Sequence, residues 1–308
     1  MSGPVFSPQP GAFRRLLAPL FLLRHPFLAL GPRREPILYR GVEARQPFTL
    51  TVAVTSATSD LPTLVDGDIL IYATTWLVRH LNAGEPLPEV LEVAPTTLLG
   101  ALGRRLGGTQ LVQLDAALSR LTDCSVATNL SPAAGPIFSL IERVERPSGP
   151  RGPYRLYLPA FLLAEVRAQR FRDFAPAALR LHGLERRVFG WGCAYASGKA
   201  YDSWTLTRDD AHRRAASEDK PRRFKAALGR IAAADRMPGF RLTADGVGRD
   251  TRFVLTRRPA PAFPDAACDE NAAAPEYPAQ DRAADPTRTP SAPFHEPDDV
   301  FEVAWDED

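Results

Sequence analysis

The chain has 308 residues, 44% of them hydrophobic, and a formal net charge of +2 at pH 7. This is enough apolar material for a sizeable core and, on the usual length prior, two domains. Its three cysteines, Cys124, Cys193 and Cys268, lie far apart with no C-x-x-C pair, which argues against a zinc cage or a disulfide framework and fits a reducing cytoplasm.

The first feature in chain order is "FRRLLAPLFLLRHPFLALG". Two arginines ahead of an apolar run suggest an export signal, but Arg24, His25 and Pro26 interrupt the run, no small-residue cleavage site follows, and no stretch reaches the length of a membrane span. The expectation for residues 1–34 is an apolar arm laid on the first domain, with no membrane role.

The next elements, in residues 35–150, begin with "DILIYATTWLVRHLNAG". Ile69, Leu70, Ala73, Trp76, Leu77 and Leu81 fall at helical spacing, with Asp66 or Asp68 as N-cap and Gly84 at the end. A strand "VLEV", a short helix in "APTTLLGALGRRL", a Gly107-Gly108 turn and a helix from Thr109 to Thr122 follow. Strands near "SVATNL" and "IFSLIERVE" close this half.

Residues 151–258 repeat the order. A helix "ALRLHGLERRVFGWGCAYAS" precedes a strand "SWTL", a short helix "TRDDAHRRAAS", a turn at Glu218 and Asp219, a helix over 221–235, and strands "FRLTA" and "TRFVLTR" around "DGVGRD". Helix, strand, helix, turn, helix and hairpin are the parts of a winged helix. Residues 114–121 align with 224–231, so the expectation is an α+β chain, mainly helical, built from two tandem winged-helix domains.

Charge separates the segments that the net value conceals. Residues 259–308 hold 13 acidic side chains against Arg282 and Arg288, a net −11, whereas residues 151–258 carry +12. The Pro-, Ala- and Asp-rich tail is expected to be disordered. Its closing "DDVFEVAWDED" reads either as a solubilising end or as a short acidic recognition peptide. Positive charge gathered on one domain points to a polyanionic partner.

The helix "PRRFKAALGRIAAA" gives that charge a use. Phe224, Ala227, Leu228 and Ile231 share the core face, which leaves Arg222, Ala226, Gly229 and Ala233 outward. Small side chains flanked by Arg222, Arg223, Lys225 and Arg230 fit a major groove about 12 Å wide, with arginine addressing phosphate or guanine. Lys220 stands at the helix N-terminus, where a phosphate would lie. Arg213 and Arg214 on the preceding helix, and Arg249 and Arg252 on the wing, complete the expected duplex-DNA surface. The front helix offers Arg104, Arg105, Gln110, Gln113 and Arg120, but Asp115 stands where the back helix has Lys225 and is expected to repel phosphate. The front surface therefore makes fewer DNA contacts or serves self-association.

Catalysis finds no support. The histidines His25, His80, His182, His212 and His295 form no HxH or HExxH pair, no phosphate-binding G-x-x-x-x-G-K-[ST] loop exists, and Tyr195 and Tyr201 are explained by packing. Neither a catalytic residue, a metal nor a cofactor is expected.

Through "DGDILIYATTWLV", "TTLLGALGRRLGGTQLVQLDAALSRL", "YRLYLPAFLL", "LHGLERRVFGWGCAYA" and "RRFKAALGRI", about residues 35 to 258 resemble the plasmid replication initiator protein A family. The resemblance implies binding to repeated double-stranded origin sequences (iterons), recruitment of host helicase and polymerase, and dimers that repress their own synthesis. It carries DNA contact onto Arg222, Arg223 and Lys225, and onto Gln110 and Gln113. A winged-helix transcriptional repressor without initiator activity is the alternative.

Overall fold

The N-terminal apolar run is an internal part of the fold. In the computed structural model, which describes residues 15–43, 45–130, 137–146, 149, 152–197, 202–246 and 251–258, this run forms strand β1 (Leu16–Pro19) and helix α1 (Leu20–Arg24). The helix ends at His25, whose backbone is extended, as expected for a residue followed by proline. Strand β1 pairs antiparallel with β9 (Phe171–Phe174), and Leu16, Phe21, Leu22, Leu23, Phe27 and Leu28 are buried. Arg187 of helix α6 (Gly183–Tyr195), itself 1% exposed, donates to the carbonyls of Leu22, His25 and Leu28 at 3.3, 3.0 and 2.5 Å. Burial lowers its pKa to about 10, which leaves it charged at neutral pH. The expected arm on the first domain is thus corrected: residues 15–34 pack against both halves of the chain.

Strands β2 (Ile37–Glu43) and β3 (Gln46–Val54) form a hairpin that the sequence reading did not anticipate. Helix α2 (Asp68–Asn82) is buried from Asp68 through Val78 and runs through the core. Gly67, not Asp66 or Asp68, is its N-cap, and no side chain caps it. Strand β4 (Val90–Val93), helices α3 (Pro95–Ala101) and α4 (Gly108–Thr122), and strands β5 (Cys124–Thr128), β6 (Ile137–Phe138), β7 (Arg143–Glu145) and β8 (Tyr154–Tyr157) follow. The segment expected as one strand, "IFSLIERVE", is divided. Its β6 part joins the sheet β2-β3-β5-β6, while β7 joins β4-β8-β7, with Leu140 and Ile141 buried between them.

After α5 (Ala160–Arg167) and β9, a 3-10 turn at Pro176–Arg180 leads to α6. The single helix expected there is broken because His182 is extended and Gly183 takes a φ of +51°. Then come β10 (Ser203–Thr207), α7 (Arg208–Ala215), α8 (Pro221–Ala234), β11 (Phe240–Asp245) and β12 (Arg252–Arg257). A Cβ at Gly192 of α6 would lie 2.8 Å from side-chain atoms of Leu255 and Phe240, so only glycine lets this helix sit so close to the sheet.

The two halves share a topology. In β4-β8-β7 and in β10-β12-β11 the first strand pairs with the third, and the third with the second; each sheet accompanies two consecutive helices, α3 and α4 or α7 and α8. The front hairpin equivalent to β11–β12 is therefore β7–β8, not β5–β6, and the expected division at residue 150 falls inside it. The described residues, from 15 to 258, form one compact, mixed α/β unit. The acidic tail, with its expected disorder, lies outside the described residues.

Buried charge also joins the halves. Asp68 pairs with Arg104 at 2.6 Å and with buried Arg186 of α6, while Asp66 receives two hydrogen bonds from Arg120 at 2.7 and 2.8 Å. Removing one member of such a network leaves a charge without its partner in a poorly solvating interior.

Candidate nucleic-acid interface

Helix α8 begins at Pro221, where the missing N–H costs nothing, and its N-cap Lys220 makes no side-chain capping bond. Phe224 and Leu228 are sealed inside, at 0% and 1% exposure, and Ala227 and Ile231 are half-buried. Arg222, Arg223, Ala226, Gly229, Arg230 and Ala233 are exposed. A Cβ at Gly229 would meet nothing within 4 Å, so the outward side is open. The helix is held against α7 by His212, whose Nε2 lies 2.6 Å from the Asp219 carbonyl oxygen and whose ring meets Phe224 edge-on at 4.8 Å.

The charges on this face fall into two groups. Arg222 and Arg230 have no ion-pair partner among the described residues, and Arg223 has only Asp219, at 3.4 Å. These guanidinium groups are available to a polyanion. Lys225, by contrast, turns to the hairpin: its ammonium donates to the Thr251 hydroxyl at 2.7 Å. Arg252 is exposed at the start of β12, and Arg249 lies outside the described residues.

On α7 the two expected contacts part company. Arg213 is exposed but pairs with Asp210 at 2.7 Å. Arg214 is drawn inward, 2.8 Å from Asp210 and 3.1 Å from the Tyr195 hydroxyl, over the stacked rings of Tyr195 and Trp204. It holds α7 to α6, a correction to its expected role at phosphate. Tyr195 is part of this packing, and burial pushes its phenol up to about 12. Tyr201 lies outside the described residues.

Helix α4 buries Leu114, Ala117, Leu118 and Leu121, in the register expected from its alignment with α8. Val112 and Gln113 are exposed and Gln110 is half-buried. Asp115 is not the bare carboxylate expected. Its Oδ1 accepts the Tyr154 hydroxyl at 2.9 Å and lies 3.3 Å from the Arg146 Nε, while Arg146 also donates to the Ser119 hydroxyl at 2.8 Å. Arg146 therefore cancels the charge that was expected to repel phosphate. Arg104 and Arg120 are committed to Asp68 and Asp66, a second correction, whereas Arg105 remains exposed.

Aligned positions 115 and 225 thus perform one task with opposite charge: each fastens its helix to the neighbouring hairpin. The sequence reading missed Arg146. Its signal was a place beside "PSGPRGP", a turn-forming stretch between two strand-like segments.

A ridge of small side chains with exposed guanidinium groups along its flanks can approach a duplex closely and bind its phosphates and base edges. Among the described residues, no group of three or more His, Cys, Asp or Glu side chains could hold a metal, and no helix is long and apolar enough to cross a membrane.

Comparison with known proteins bears on the fold and the family. Two crystal structures of domains 2 and 3 of RctB are similar to this chain. The first, a selenomethionine derivative, has a TM-score of 0.56 and 15% identity, covering 78% of this chain and 98% of that one. The second gives 0.50 and 13%, with 78% and 97% covered. At these identities the likeness concerns the fold. A search of curated proteins finds no match. The family model "Replication initiator protein A" matches residues 20–242, a span that takes in α1, the central helix α2, both aligned helices and the start of the last hairpin. The chain belongs to the replication initiator protein A family.

Proposed function

We propose that the protein initiates replication of a plasmid by binding repeated double-stranded sequences at its origin through two winged helices. The β4-α3-α4-β7-β8 and β10-α7-α8-β11-β12 units are those winged helices, and α8 is the main reading element. Arg222, Arg223 and Arg230 contact DNA, with Lys220 at a phosphate near the helix N-terminus. The single observation that carries this reading is the outward stripe of Arg222, Ala226, Gly229 and Arg230, open to solvent while Phe224 is sealed beneath it.

The protein performs no bond-making chemistry of its own in this reading. It acts in the cytoplasm by marking or opening the origin, recruiting host helicase and polymerase, and dimerising to repress its own synthesis. The repeated topology supports binding to adjacent sites, since each unit presents one helix to the duplex.

The test is origin establishment. A minimal origin supplied with this gene in trans is expected to replicate, and to fail with Arg222→Ala/Arg230→Ala. Establishment that is indifferent to deletion of the gene, combined with sequence-specific DNA binding, would leave a transcriptional repressor instead.

A further inference from the structure

The aligned helices differ at the two positions that matter most for reading bases. Extending the alignment of 114–121 over 224–231 by two residues places Val112 on Arg222 and Gln113 on Arg223. Val112 is 69% exposed on the same outward stripe as Ala116. Where such a valine faces a duplex, the major groove offers it an apolar counterpart, the thymine methyl group.

We propose that α4 is a second reading element tuned to A·T base pairs, with Val112 on a thymine methyl and Gln113 on the N6/N7 edge of adenine, while α8 uses arginine on guanine. The proposal rests on the DNA-binding reading above and adds the base preference of each half. One chain then reads a composite site, A·T-rich under the front helix and G·C-containing under the back one.

Three observations support duplex DNA as the occupant of this face. Arg105 and Gln113 are both exposed, and Arg105 has no ion pair among the described residues, so a guanidinium and an amide are available to a duplex. Asp115 no longer opposes them, because Arg146 and Tyr154 hold it. The large apolar side chains exposed in this stretch, Leu106 and Val112, are also too few to form the apolar core of a stable protein interface.

The experiment begins with selection of binding sites by the full chain from random duplexes. Each thymine of the selected site is then replaced singly by deoxyuridine, which removes only the methyl group. At one thymine outside the Arg222-dependent part, the wild-type chain should lose about fourfold in affinity, the worth of one buried methyl group. Val112→Ala should bind the thymine and uracil sites equally. Gln113→Ala should relax the preference for adenine at an adjacent position. Both side chains are exposed, so neither substitution disturbs the core. If the chain binds its site in an Arg222-dependent way but neither front-helix variant changes base preference, this proposal falls and the DNA-binding reading stands. A loss of self-association by Val112→Asp, with base preference unchanged, would overturn it in favour of a protein contact. Absence of any sequence-specific duplex binding would overturn both readings.

Discussion

Helices α4 and α8 have the same backbone surroundings and opposite surfaces. Each follows a short helix, buries its apolar seam in the same register, and is fastened to a hairpin by one side chain. On α8 that side chain is Lys225, bonded to Thr251, and on α4 it is Asp115, bonded to Arg146 and Tyr154. The comparison teaches that charge at an aligned position does not by itself report on a partner. What matters is whether the protein already satisfies it. Lys225 and Asp115 are satisfied from within, whereas Arg222 and Arg230 have no ion pair among the described residues.

The largest expected effect concerns the joint between the halves. Asp68 on α2 is the shared ion-pair partner of Arg104 and buried Arg186. Asp68→Ala should cost about 3–5 kcal/mol, because it leaves a buried guanidinium group without its partner. Urea unfolding measures this, and the halves should still unfold together, since α6 and β1 tie them independently. Next is Arg222→Ala, which should lose about 1–3 kcal/mol of specific binding if the side chain reads a base. Stability should be unchanged, because the residue is exposed.

The two tethers come third. Lys225→Met and Asp115→Asn should each destabilise by about 0.5–1.5 kcal/mol, the scale of one hydrogen bond. Matching losses would sharpen the equivalence, whereas a DNA-binding defect for Lys225→Met far above its effect on stability would break it. Fourth, Gly229→Ala should raise stability by about 1 kcal/mol, the difference in helix propensity, since the added methyl meets open space in the free chain, and binding should tolerate it because Ala226 and Ala233 are exposed on the same face.

The smallest effect is on pH dependence. Burial lowers the pKa of His25 below its ordinary 6.5, against the opposing effect of the hydrogen bond it donates to Glu43. The folded state therefore binds fewer protons than the unfolded chain once the pH drops toward 6.5, and stability falls with further acidification. For Glu43, burial acts to raise the pKa, but His25 and Arg24 outweigh it and the net direction is down from 4.5, so its contribution is lost at lower pH still. Unfolding midpoints between about pH 7.5 and pH 5.5 should decline, and the decline should shrink in His25→Phe.

Local patterns made some of this legible and hid the rest. The seam of α8 was readable because Phe224, Leu228 and Ile231 repeat at helical spacing, and its groove face followed from the same geometry. Hairpin β2–β3 was not, since its turn carries Arg45 at a φ of +64° where glycine or asparagine would have been the signal. Nor was the true front hairpin: β5–β6 and β7–β8 are equally plausible in sequence, and only the pairing of β8 with β4, whose partner residues lie 61 to 67 positions apart, distinguishes them. Arg104 and Arg120 were misread for a related reason. Their partners Asp68 and Asp66 lie 36 and 54 residues away, beyond any pattern that local spacing can reveal.

The most direct test places a probe on the groove face itself. Gly229→Cys, in a Cys268→Ser background, offers one reactive thiol on the open side of α8, because Cys124 and Cys193 are buried and their thiols are pushed up to about 11 and 12. With a DNA-cleaving reagent on that thiol, the chain should cut its selected duplex within a few base pairs, in the major groove of the Arg222-dependent half-site. A derivatised chain that still binds the duplex specifically yet cuts nowhere near it would place α8 away from DNA and contradict the account.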